Sequence, residues 1–140
     1  MRKAFHVIFP VILILVALSF FTSTVAADGA TSAPDFTTVD ENGTVFSLSD
    51  YRGHVTLLHF TGLESPLCIE CLEEMEGQLV ELENLSQSVD NVRIITVNIR
   101  NNPYSISGKE IAELDYGISV NWHWVEDFSP YSVAYLYRDY

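Results

Sequence analysis

Val55-Thr56-Leu57-Leu58-His59-Phe60-Thr61 leads, six residues later, into Cys68-Ile69-Glu70-Cys71 and then into Leu72, Met75, Leu79, Leu82 and Leu85 at three- and four-residue spacing. The first run is β-branched and apolar and predicts a buried strand; the later spacing predicts an amphipathic helix. The only two cysteines of the 140-residue chain therefore fall where a strand hands over to a helix. A thiol in the first turn of a helix feels that terminus's partial positive charge and unpaired N–H groups, and both favour the thiolate. A thiolate can attack a disulfide. Cys68, nearer the helix start, is the expected nucleophile, and Cys71 the thiol that resolves the product.

Other uses of the pair are weaker on physical grounds. As a structural staple it would close a very small loop and restrain the unfolded chain little. As a metal site it lacks partners: zinc wants four ligands, and His6, His54, His59 and His123 are scattered along the chain. No metal and no cofactor is expected.

Upstream, Arg2 and Lys3 precede an apolar run, Val7 to Phe21, broken by Pro10 and Ser19, and Val25-Ala26-Ala27 supplies small residues for cleavage. Residues 1–27 read as a secretory signal, with retention as an N-terminal membrane anchor the alternative. The run falls short of the ~20 residues of a comfortable span. Residues 28–32 then form a linker and residues 33–140 one domain, working outside the cytoplasm. The chain carries 7 basic and 19 acidic side chains, a net charge of −12. Nucleic acid is excluded as a partner by the lack of a basic stripe, and an anionic membrane surface would repel the domain. Asn42-Gly43-Thr44 and Asn84-Leu85-Ser86 fit the glycosylation acceptor pattern, which matters only in a host that modifies exported proteins.

Between linker and strand lies Ala33-Pro34-Asp35-Phe36-Thr37-Thr38-Val39-Asp40-Glu41-Asn42-Gly43-Thr44-Val45-Phe46-Ser47-Leu48-Ser49-Asp50-Tyr51-Arg52-Gly53. Two β-favouring runs, Phe36 to Val39 and Thr44 to Phe46, flank Asn42-Gly43, so a hairpin is predicted. The stretch closely resembles the entry segment of TlpA- and ResA-like thiol-disulfide oxidoreductases, the redoxin branch of the thioredoxin superfamily. The resemblance extends through the dithiol to Arg93-Ile94-Ile95-Thr96-Val97-Asn98-Ile99, expected as the second core strand.

Beyond it, residues 101 to 108 read as a loop, Lys109 to Tyr116 as a short helix stopped by Gly117, Trp122 to Val125 as a strand, and Tyr131 to Tyr137 as a helix or irregular aromatic segment. This alternation predicts an α/β fold with a parallel sheet, and the resemblance narrows it to a thioredoxin-like fold with an N-terminal hairpin. Against the family pattern, Ser65-Pro66-Leu67 replaces the aromatic before the first cysteine. Glu76-Gly77 stands where a helix-bending proline is common. The family's cis-proline and last two strands have no expected equivalent before Tyr140, and neither Pro103 nor Pro130 sits in the right sequence to substitute. The domain is therefore expected to be incomplete.

The resemblance implies an enzyme that exchanges disulfides with a protein client and is recharged by a membrane or envelope thiol donor. Glu64, Glu70, Glu73 and Glu74 disfavour a nearby thiolate, so a reducing couple is expected. Glu74 lies near the edge of the apolar helix face and matches the position of a family glutamate that handles the dithiol's protons. Half-buried there, it would have a raised pKa and accept the Cys71 proton; otherwise it is a solvated helix carboxylate. Two further readings stay open. Ser65-Pro66-Leu67-Cys68 imitates the hydroxyl-x-x-Cys pattern of a peroxiredoxin-like peroxidase. A non-catalytic module could bind a partner through Trp122, Trp124 and the aromatics of residues 131–140.

Overall fold

The computed structural model describes residues 32–63, 69–103 and 105–140, of which Ala33–Tyr140 form one compact unit. The expected signal, residues 1–27, lies outside the described residues. The hairpin forms as its turn predicts: β1 (Thr37–Val39) pairs antiparallel with β2 (Val45–Ser47), Val39 opposite Val45. Gly43 adopts φ 79°, a left-handed conformation open to glycine without a Cβ penalty. Asp40 holds the turn from inside, its Oδ1 accepting the N–H groups of Asn42 and Thr44 at 2.9 and 2.8 Å. A short 3-10 turn, Leu48–Tyr51, follows, and Asp50 caps it by accepting the Ser47 N–H at 2.8 Å.

The main sheet is parallel, in the order β3 (Val55–Thr61), β4 (Val92–Arg100), β5 (His123–Phe128). Parallel neighbours need a crossover, which α1 (Ile69–Ser88) and α2 (Gly108–Asp115) supply; α3 (Ser132–Tyr137) follows β5. Alternating side chains of the central strand bury both faces. On one face Ile94 packs with Leu79 and Leu82 of α1, Ala112 of α2 and Trp122 and Trp124. On the other, Ile95 and Val97 pack with Phe36 and Phe46 of the hairpin and Val133 of α3. Among the described residues, the outer edge of β3 pairs with no strand.

One element differs from expectation, and one open alternative is decided. The last strand was expected at Trp122 to Val125 but runs from His123 to Phe128, because the charged Glu126 and Asp127 both find partners. Glu126 pairs with Arg100 at 3.0 Å. Asp127 caps α3 by accepting the Ala134 N–H at 2.8 Å. The aromatic segment is therefore a helix. The Ser129–Pro130 peptide between β5 and α3 is cis. It leads into a helix, not into a strand beside β3.

Candidate functional site

Cys71 occupies the third position of α1, half-buried in the first turn, and its sulfur is in a disulfide. Cys68, the expected nucleophile, lies outside the described residues, as do Glu64 and Ser65 to Leu67. β3 delivers the chain to this junction. Its ladder with β4 ends at Thr61 opposite Asn98. The Thr61 hydroxyl is directed at Met75 Sδ, 3.7 Å away and one turn beyond Cys71, so strand end and helix start are held together. A cleft of about 450 Å³ opens along the junction, lined by Phe60, Thr61, Gly62, Met75, Gln78 and Ile99 among others.

His59 sits under α1, with Nδ1 3.4 Å from Thr96 Oγ1 and Nε2 3.3 Å from Gln78 Oε1. Burial holds its imidazole below the ordinary histidine range, partly offset by the Gln78 contact. His54, by contrast, is exposed and hydrogen-bonded to Asn91 at 2.8 Å.

Glu74 does not take the half-buried position at the edge of the apolar face. It is exposed, as are Glu70, Glu73 and Glu81. Met75, Leu79 and Leu82 set the buried stripe of α1, and Glu74, about 100° round from Met75, turns to water. The aromatic surface considered above also narrows: Trp122 and Trp124 are core residues at 8% and 1% exposure. What remains outside is a second cleft, of about 440 Å³, between Phe60 and Ile99 on the sheet and Tyr131, Tyr135 and Tyr137 around α3.

Sequence reasoning missed a polar cluster on the sheet face that carries α1. Asn98, wholly buried, donates from Nδ2 to Glu126 Oε2 at 3.0 Å and accepts the Leu63 N–H on Oδ1 at 3.2 Å. Glu126 also accepts from Gly108 N and Trp124 Nε1, each at 2.8 Å, and pairs with Arg100. Arg100 in turn donates to the Ser105 hydroxyl and the Ile106 carbonyl, fixing the loop before α2. The available signal was the alternation Ile94, Thr96, Asn98, Arg100 along one face of β4, which turns polar toward the strand's C-terminal end.

A family model described as Redoxin matches residues 28–121. No curated protein matches the chain. Among solved structures, it is similar to the thioredoxin domain of a thiol-disulfide oxidoreductase from Bacteroides vulgatus, with 19% identity, 82% of this chain and 76% of that one covered, and a TM-score of 0.52. A hypothetical protein from Sinorhizobium meliloti gives 19%, 80%, 60% and 0.55 in the same order. A thiol:disulfide interchange protein of the thioredoxin family from Chlorobium tepidum gives 18%, 71%, 62% and 0.49. The chain thus spans less than two thirds of the length of the last two. At such identities the first two likenesses establish the fold alone, and that fold is thioredoxin-like.

Proposed function

The chain belongs to the redoxin family, and from that premise we propose that it is an exported thiol-disulfide oxidoreductase that reduces protein disulfides through Cys68 and Cys71. The observation that carries this reading is the disulfide on Cys71 in the first turn of a helix that follows a parallel core strand. The sequence holds one other cysteine, Cys68, three residues upstream. The Cys68 thiolate attacks a client disulfide, forming a mixed disulfide and expelling one client thiolate. Cys71 then attacks the Cys68 sulfur, expelling the second client thiolate and closing the Cys68–Cys71 bond. Two electrons pass from the dithiol to the client, and an envelope thiol donor returns them.

Glu70, Glu73 and Glu74, all exposed on the first turns of α1, oppose a thiolate beside them and favour a reducing couple. Glu74, one turn beyond Cys71, is the proposed acceptor of the Cys71 proton, acting as a solvated base. The test is reduction of insulin disulfides by the protein recycled with a small dithiol, run beside peroxide consumption. Turnover of insulin without peroxide loss is the expected result. Peroxide consumption without insulin reduction would move the assignment to a peroxidase, and neither activity would leave a binding module.

A further inference from the structure

We propose that Asn98 is a positioning residue for the dithiol, pinning the backbone that enters the cysteine segment to the buried Glu126–Arg100 pair; this deepens the reading above and rests on it. The ladder between β3 and β4 ends at Thr61 opposite Asn98. Leu63 lies two residues beyond, so its N–H has no sheet partner, yet the residue is only 4% exposed. Asn98 Oδ1 supplies the missing acceptor. A buried donor left without one is costly, so this bond fixes where the chain enters the segment 64–68 that carries Cys68.

Asn98 can fill the role because its other end is held. Its amide donates to Glu126 Oε2, which lies directly across the β4–β5 ladder from it and also meets Arg100 Nη1 at 3.0 Å. Arg100 and Glu126 side chains are 2% and 9% exposed. The helix opposite leaves room for this arrangement: a Cβ on Gly108 would fall 2.0 Å from Asn98 Nδ2 and 2.8 Å from its Cγ. Leu63, Asn98, Glu126 and Gly108 thus form one connected unit, in which the strand end before the cysteines is held by the start of α2.

The consequence is chemical. In the equilibrium in which the disulfide form plus two glutathione molecules give the dithiol plus one glutathione disulfide, the internal bond is favoured by the effective concentration of one cysteine sulfur at the other. Loosening the entry to the segment that carries Cys68 lowers that concentration and makes the internal disulfide easier to reduce. Asn98→Ala is expected to shift this equilibrium toward the dithiol severalfold, with about tenfold as the upper limit, reached when the Leu63 bond is made only in the disulfide form. Gly108→Ala, which displaces the Asn98 side chain without altering it, is expected to shift it in the same direction. Tyr51→Phe, which removes a hydrogen bond to His123 from the opposite face of the sheet, is expected to leave it unchanged.

The measurement is the glutathione equilibrium of the full chain, read by thiol trapping, with amide hydrogen exchange at Leu63 in the unaltered protein. Slow exchange at Leu63 together with a shift in both variants supports the proposal. An unprotected Leu63 amide, or N98A and G108A at the wild-type equilibrium, overturns it while the oxidoreductase assignment stands. If the unaltered protein itself never exchanges with glutathione, the assignment under it fails instead. Should neither variant fold, an unprotected Leu63 amide in the unaltered protein would still overturn the proposal.

Discussion

Asp40 Oδ2 lies 2.7 Å from His123 Nδ1, joining side chains 83 residues apart. Burial alone would push the Asp40 carboxyl up, but the Thr44 N–H, the His123 ring and the Asn42 N–H more than offset it and hold it below the usual carboxylate range. An ionised carboxylate only accepts, so the His123 Nδ1–H donates to it, while Nε2 on the far side of the ring is hydrogen-bonded to the Tyr51 hydroxyl. Phe46 stacks on the same imidazole with centroids 4.2 Å apart. Hairpin, 3-10 turn and β5 therefore converge on one ring.

Removing the carboxylate leaves the N–H groups of Asn42, Thr44 and His123 without their acceptor. Asp40→Ala is expected to cost about 2–3 kcal/mol, read from the urea midpoint at unchanged m-value. His123→Phe keeps the stacking and loses less. A double-mutant cycle is expected to return a coupling of about 1 kcal/mol; additive losses would show that the two side chains are neighbours without a bond. Because the Asp40 pKa is lower in the folded chain, its contribution is present above the ordinary aspartate value of 3.8 and is lost as pH falls through the depressed one.

His59 is shifted in the same direction, but by burial itself. Burial lowers its pKa in the folded chain from 6.5, so below that value the unfolded chain binds more protons than the folded one and stability rises with pH. The urea midpoint is expected to fall as pH drops from 6.5 toward the depressed folded value, and to be independent of His59 above pH 7. His59→Asn is expected to flatten that slope. A variant with the same slope as the wild type would show that other groups set it.

The hairpin, β3 and α1 were legible because each is dictated locally: Asn42-Gly43 for the turn, a β-branched apolar run for the strand, and the Met75, Leu79, Leu82 stripe for the helix. The placement of Cys71 followed from their junction. What the sequence hid was tertiary. Nothing near Glu126 announces that Arg100 will lie beside it, so the strand was expected to stop at Val125. Asn98 sat inside an apolar run and looked like an interruption, because the donor that needs it, Leu63 N–H, is orphaned only once the β3–β4 register is known. Glu74 was placed by helical angle alone, which fixes direction but not how far the sheet reaches around α1.

The Arg100–Glu126 pair is nearly sealed from water, so removing either partner strands the other charge. Glu126→Ala is expected to cost about 3–5 kcal/mol. Glu126→Gln, which keeps the shape and one acceptor oxygen for Gly108 and Trp124, is expected to cost less. Both are read from urea denaturation. Equal losses in the two variants would assign the cost to shape and not to charge.

The order of attack predicts which intermediate can be trapped. With Cys71→Ser, Cys68 can still open a client disulfide but nothing expels it, so a mixed disulfide with insulin is expected to accumulate and to be released by added dithiol. With Cys68→Ser the same mixture is expected to yield no early conjugate, because Cys71, half-buried in the helix, is the weaker attacker. The reverse pattern would exchange the two roles. Glu74→Gln adds the proton to this picture. If Glu74 takes the Cys71 proton, the conjugate of an otherwise unaltered protein should decay more slowly in this variant. Since the carboxylate is exposed and water competes for the proton, the slowing is expected to be only about two- to fivefold. An unchanged decay would place the proton directly into solvent, leaving the two cysteines to carry the chemistry without a side-chain base.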